Sequence, residues 1–122
     1  LEHMFALKTG ALIHASVMST CVLADPIPDG HTAALDGFGR TIGLAFQIRD
    51  DLLDVEGKTE DIGKPAGSDE RMEKATYPSL FGIEASRRRC EELLGESLGY
   101  LEALPNAAAL KWLARFIVDR GK

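Results

Sequence analysis

Apolar positions along this chain recur every three to four residues, the spacing of helices that bury one face. Leu1 to about Ala24 carries that pattern as a single helix and ends in Asp25-Pro26-Ile27-Pro28-Asp29-Gly30, a dense cluster of breakers. A second long helix is predicted from about Thr32 to Val55, without proline and stopped by Gly57. Residues 57–76 are rich in Gly, Lys, Asp and Glu and carry Pro65, so they read as a long polar loop. Loops of that length in compact domains usually serve a function. Thr76 is the expected cap of a short helix with Pro78 near its first turn, giving way near Gly82. A third long helix covers about Glu84 to Leu104 and is closed by Pro105. Asn106 is the expected cap of a last helix that runs to about Asp119 and ends at Gly121. Nothing reads as a strand, so the expected class is all-α, a helical bundle.

Helical periodicity begins at Leu1 with no capping residue ahead of it. Helices normally start with a cap, so the chain is expected to be cut within or just before a helix. With 122 residues, 45% apolar and 27% charged, it suits one globular domain. The net charge of −5 argues against nucleic acid as a partner, because phosphate backbones call for a basic surface. The most apolar stretch, Gly10 to Leu23, is interrupted by His14, Ser16 and Ser19 and is too short to span a bilayer. Cys21 and Cys90 are far apart and match no metal or redox motif; reduced cysteines of a cytoplasmic protein are the plain reading.

The candidate chemistry lies on the second long helix. Asp50, Asp51 and Asp54 form D-D-x-x-D. At about 100° per residue, Asp50 and Asp54 lie about 40° apart, with Gln47 about 20° beyond Asp54 and Phe46 about 40° to the other side of Asp50. Leu44, Ile48, Leu52 and Val55 fall on the opposite side. Two carboxylates one turn apart repel each other, and aspartate is a poor helix former. A hard divalent cation rewards the arrangement, since Mg²⁺ takes one or two carboxylates together with substrate phosphate. An EF-hand is excluded, because aligning Gly57 with its required glycine puts Leu52 and Gly63 where ligands belong.

A cationic set accompanies the acids. If the first two helices form an antiparallel hairpin, the run from Lys8 to Ala24, about 24 Å, nearly matches that from Thr32 to Asp50, about 27 Å. Lys8 and Thr9 then return to the level of Asp50. The loop adds Lys58, Lys64 and Lys74. Cations facing a carboxylate-bound metal suit a diphosphate.

Taken together, Lys8-Thr9-Gly10, Phe46-Gln47-Ile48-Arg49-Asp50-Asp51-Leu52-Leu53-Asp54, Asp61-Ile62-Gly63-Lys64-Pro65 and Lys74-Ala75-Thr76-Tyr77-Pro78 resemble the trans-isoprenyl diphosphate synthases, the farnesyl and geranylgeranyl diphosphate synthases and their relatives. The resemblance covers the whole chain, 1–122, as the carboxyl-terminal part of the polyprenyl synthetase domain with its isoprenoid-synthase fold. It implies that Asp50, Asp51 and Asp54 bind Mg²⁺, up to three ions in a complete enzyme. It implies that Lys8, Lys64 and Lys74 bind an allylic diphosphate, and that Thr9, Phe46 and Gln47 shape the pocket around the reacting carbons. The implied reaction condenses an allylic diphosphate with isopentenyl diphosphate. The first aspartate-rich motif and the basic residues for isopentenyl diphosphate have no counterpart here, so the chain alone is expected to have little or no synthase activity.

Three other readings stand beside this one: a non-catalytic partner subunit of a heteromeric synthase, a related helical terpene cyclase, and a helical interaction module. The first has no need of an intact Lys8/Asp50/Asp54/Lys64/Lys74 set, the second usually carries a different second motif with Asn, Ser or Thr and Glu as ligands, and the third leaves the carboxylate face unexplained. His14 is expected to pack among Ala11, Ala15 and Met18, Trp112 to pack in the core, and Arg87-Arg88-Arg89 to form a solvated face. Helices that lack their neighbours expose apolar faces, so a homo-oligomer is expected.

Overall fold

The computed structural model describes residues 1–24, 26–60 and 75–121. Among them the chain forms α1 (Glu2–Leu7), α2 (Thr9–Leu23), α3 (His31–Glu60), α4 (Tyr77–Phe81), α5 (Ile83–Leu101) and α6 (Ala108–Asp119), with no strand. The all-α expectation holds.

The 30-residue α3 is the central column, about 45 Å long. Phe38, Ile42, Ala45, Ile48 and Leu52 recur along it and are almost wholly buried. Most of its packing is against α5 on one side and α2 on another. From α5 come Cys90, Leu93, Ser97 and Leu101, again a helical stripe. α6 lies across α5 and α3 and inserts Ala114, Ile117 and Val118.

α2 runs antiparallel to α3 at very close range. A Cβ on Gly43 would stand 3.0 Å from the Gly10 Cα and 3.2 Å from its carbonyl oxygen, so Gly43 makes room for the Gly10 backbone, while a Cβ on Gly10 would meet the Phe5 carbonyl oxygen at 2.9 Å. Farther along, His14 Nε2 meets Asp36 Oδ1 at 2.7 Å. His14 is therefore half-buried in a polar bridge, not packed among alanines and Met18 as expected. Arg40 also bonds Asp36; with Arg40 the larger cause and His14 the second, the Asp36 carboxyl is held below its ordinary range.

The single first helix of the sequence reading is two helices. Lys8 leaves helical geometry, with φ −96° and ψ −116°. No breaker precedes it, for Phe5-Ala6-Leu7-Lys8 is a helix-forming run. The break turns α1 so that Phe5 enters the core at 4% exposure, and Gly10 leaves room for the Phe5 carbonyl oxygen, which a Cβ there would meet at 2.9 Å. Glu2 is held at the other end by the Tyr77 hydroxyl (3.1 Å) and by Arg89 (3.3 Å).

The other boundaries also differ in places. α3 continues through Gly57 to Glu60, because a lone glycine weakens a helix without ending it. Thr76 does cap α4, in a reciprocal box with Ser79, and Gly82 ends that helix at φ +86°. Asn106 does not cap α6. It takes a left-handed turn at φ +57°, and Ala107 stands at the cap position without a side-chain bond. Trp112 is not in the core: it lies two residues, about 200°, from the buried Ala114, is 64% exposed and stacks on Phe116 at 5.2 Å. The arginine run is solvated but paired, Arg87 with Glu56 and Glu84, Arg89 with Glu2, Glu92 and Glu96.

Two glycine substitutions should move stability in opposite directions. Gly43→Ala drives a methyl into Gly10 backbone and should lower the unfolding free energy by about 1–3 kcal/mol. Gly95, inside α5 with open space around it, should gain about 0.5–1 kcal/mol as alanine. Urea midpoints of the two variants against wild type check both signs.

Candidate functional site

The D-D-x-x-D segment is divided by the helix it sits on. Ile48 and Leu52 are fully buried, whereas Asp50 and Asp54 are exposed one turn apart. Asp51 points elsewhere. It is 9% exposed and accepts the backbone N–H of Tyr77 at 2.9 Å. Burial pushes its carboxyl above the ordinary aspartate range; the Tyr77 N–H and the Gln47 amide oppose that shift, and the charges of Asp50 and Asp54 add to it. Asp51 thus fastens the start of α4 to α3, one residue from the exposed Asp50.

Gln47 is half-buried with its amide committed to Asp51. Phe46 is half-buried as well, and its ring carries the Arg120 guanidinium at 4.2 Å. Lys8 is exposed and Thr9 half-buried, both at the α1–α2 break. The Gly10–Gly43 contact sets the register and puts Lys8 level with Ala45. That is about five residues, or ~7 Å, short of Asp50, where equal helix lengths had put them together. An extended lysine side chain can span the offset. Lys64 and Lys74, with Asp61-Ile62-Gly63-Lys64-Pro65, lie outside the described residues.

Two arginines on this face were not singled out from the sequence. Arg49, almost wholly buried, donates from Nε and Nη2 to the Arg120 carbonyl at 2.9 and 2.7 Å. It also lies 3.7 Å from Glu56. Arg120 in turn donates from Nη2 to the Phe46 carbonyl at 3.2 Å and approaches Asp50 at 3.4 Å. An arginine flanking an acidic run reads as one more surface charge; only the return of α6 onto α3 gives these two their partners.

Chemically, the face offers two exposed carboxylates one turn apart, a disposition that can share a hard cation. Among the described residues no three carboxylate, imidazole or thiol groups converge as a metal-holding set.

A sequence profile described as polyprenyl synthetase matches residues 1–111. The chain belongs to the polyprenyl synthetase family. Among its relatives, a farnesyl diphosphate synthase of Micrococcus luteus is 42% identical over the whole chain and 42% of its own length. One from Escherichia coli (strain K12) is 38% identical with the same coverage. The crystal structure assigned to a farnesyl-diphosphate synthase of Marinomonas sp. MED121 superimposes with a TM-score of 0.77 at 30% identity, over 97% of this chain and 39% of that one. This chain spans about two fifths of the length of these relatives.

Asp51 makes a prediction with a definite sign. A carboxyl that ionises less readily in the fold than in the unfolded chain keeps extra protons in the native state between the two pKa values. Native stability therefore falls as pH rises from about 3.9 through the native pKa, then levels off. Asp51→Asn keeps an acceptor for Tyr77 and should erase that slope, so urea melts from pH 3.5 to 7 should move in the variant's favour as pH rises. Asp51→Ala strands the Tyr77 N–H and should cost about 1–3 kcal/mol across the range.

Proposed function

We propose that this chain is the second metal- and diphosphate-binding part of a prenyltransferase that condenses isopentenyl diphosphate with an allylic diphosphate. The observation that carries the reading is the side-by-side exposure of Asp50 and Asp54 on a helix that buries its other faces. Exposed i,i+4 aspartates cost the helix stability, and the pair has the donor chemistry that magnesium prefers. In this reading Asp50 and Asp54 hold Mg²⁺, of which a complete enzyme uses up to three. Asp51 supports the site through Tyr77 and acts on the metal through bound water.

Lys8, Lys64 and Lys74 are read as the cations that hold the allylic diphosphate. The bond from Tyr77 N–H to Asp51 supports that role for Lys74, three residues earlier in sequence. Thr9, Gln47 and Phe46 shape the wall near the reacting carbons. When bound, Mg²⁺ supplies the positive charge that lets diphosphate depart. The lysines hold the diphosphate as the allylic C–O bond breaks and its electron pair leaves with oxygen. The double bond of isopentenyl diphosphate then forms the new C–C bond, and a proton is lost from the neighbouring carbon. Stabilising charge at the departing oxygen in a site shielded from water is the main catalytic effect expected of such residues.

No described helix is long and apolar enough to cross a membrane, and a cytoplasmic setting fits this substrate class. Leu7, Leu12, Val22 and Leu23 on α1 and α2 are exposed, which supports association, as a homo-oligomer or with the remaining part of a synthase domain.

Calorimetry with inorganic pyrophosphate, with and without Mg²⁺, tests the site. Metal-dependent binding should appear in wild type, persist in Asp51→Asn and vanish in Asp50→Ala; metal-independent binding would sink the reading. The purified chain should show little or no prenyl transfer, because one wall of carboxylates cannot complete the metal cluster. Product formation at the rate of a full-length synthase would overturn that expectation.

A further inference from the structure

Arg120 stands on the same face as Asp50, with its main chain fixed and its side chain under-satisfied. Arg49 grips its carbonyl with two hydrogen bonds, and Gly121, at φ +78°, turns the chain against Leu53. The guanidinium lies on the Phe46 ring and gives Nη2 to the Phe46 carbonyl. Its remaining contacts are poor. The approach to Asp50, 3.4 Å, is long for a charge-assisted hydrogen bond. Nε is buried with no acceptor among the described residues, and an unpaired buried N–H is unfavourable. A guanidinium fork fits carboxylate and phosphate with the same geometry. A cation bound at Asp50 would take away the one anionic partner that Arg120 has among the described residues, and a phosphate oxygen would offer it a new acceptor.

We propose that Arg120 is a further diphosphate-binding residue: it occupies Asp50 while no metal is there, and turns onto the diphosphate once metal has taken Asp50. The proposal rests on the function given above. Arg49 is its positioning residue, because it anchors the backbone from which the guanidinium swings.

The two halves predict effects of opposite sign. Removing the resident cation should help the metal, so Arg120→Gln should bind Mg²⁺ alone about threefold or more tighter in calorimetry. The same variant should bind inorganic pyrophosphate, at saturating Mg²⁺, roughly tenfold more weakly. A mere folding defect weakens both. In nuclear magnetic resonance the Arg120 side-chain Nε–H signal should shift in metal-free Asp50→Asn, shift again when Mg²⁺ is added to wild type, and again with pyrophosphate. If wild type binds Mg²⁺ and pyrophosphate through Asp50 but Arg120→Gln changes neither affinity, or the Arg120 signal stays still, this proposal is wrong and the proposed function stands. If wild type binds neither ligand, both fall.

Discussion

The backbone contact between Gly10 and Gly43 is the constraint from which the rest of the arrangement follows. The helices approach this closely because Gly43 presents no side chain to the Gly10 backbone, and the contact fixes how far α2 slides along α3. That register decides the level of the α1–α2 break, and so where Lys8 and Thr9 stand relative to the aspartates. It also leaves the opposite flank of α3 to α5 and α6, whose stripes complete the core. A larger residue at Gly43 would displace the cationic side of the face without touching a single charged group.

The acidic run illustrates how one short motif can hold two kinds of residue. Asp50 and Asp54 remain in solvent, while Asp51, one residue from Asp50, is drawn inward and bound to the main chain of Tyr77. The inward carboxylate joins segments 26 residues apart in sequence. It ties the start of α4 to α3. Arg49 does comparable work on the other edge by holding the end of α6. Two buried polar groups, one acidic and one basic, therefore determine which parts of the chain surround the exposed pair.

Helical class and most helix ends were legible because they follow from local chemistry: Pro and Gly after Leu23, the Thr76 cap, Gly82 and Gly121. The front and back of α3 were legible for the same reason, since a regular period assigns Ile48 and Leu52 to one side and Asp50 and Asp54 to the other. What could not be read were features created by packing. The break at Lys8 follows a run that favours helix locally, and it accompanies the burial of Phe5 in the core. The inward turn of Asp51 depends on an N–H supplied by Tyr77. Asn106 looked like a cap by residue type, but its left-handed conformation moved the helix start beyond it. Arg120 gained significance only through a carbonyl gripped by a residue 71 positions earlier.

The exposed ring pair on α6 has a practical consequence. Trp112 is the sole tryptophan of the chain, and it lies on the outer surface of the bundle against Phe116. Its ultraviolet emission therefore comes from one known place, on the helix that ends at Arg120. Any protein or helix that came to cover that surface would shift the emission to the blue, whereas events confined to the α2–α3 interior would leave the colour unchanged. The molecule carries its own optical gauge of what docks on its last helix.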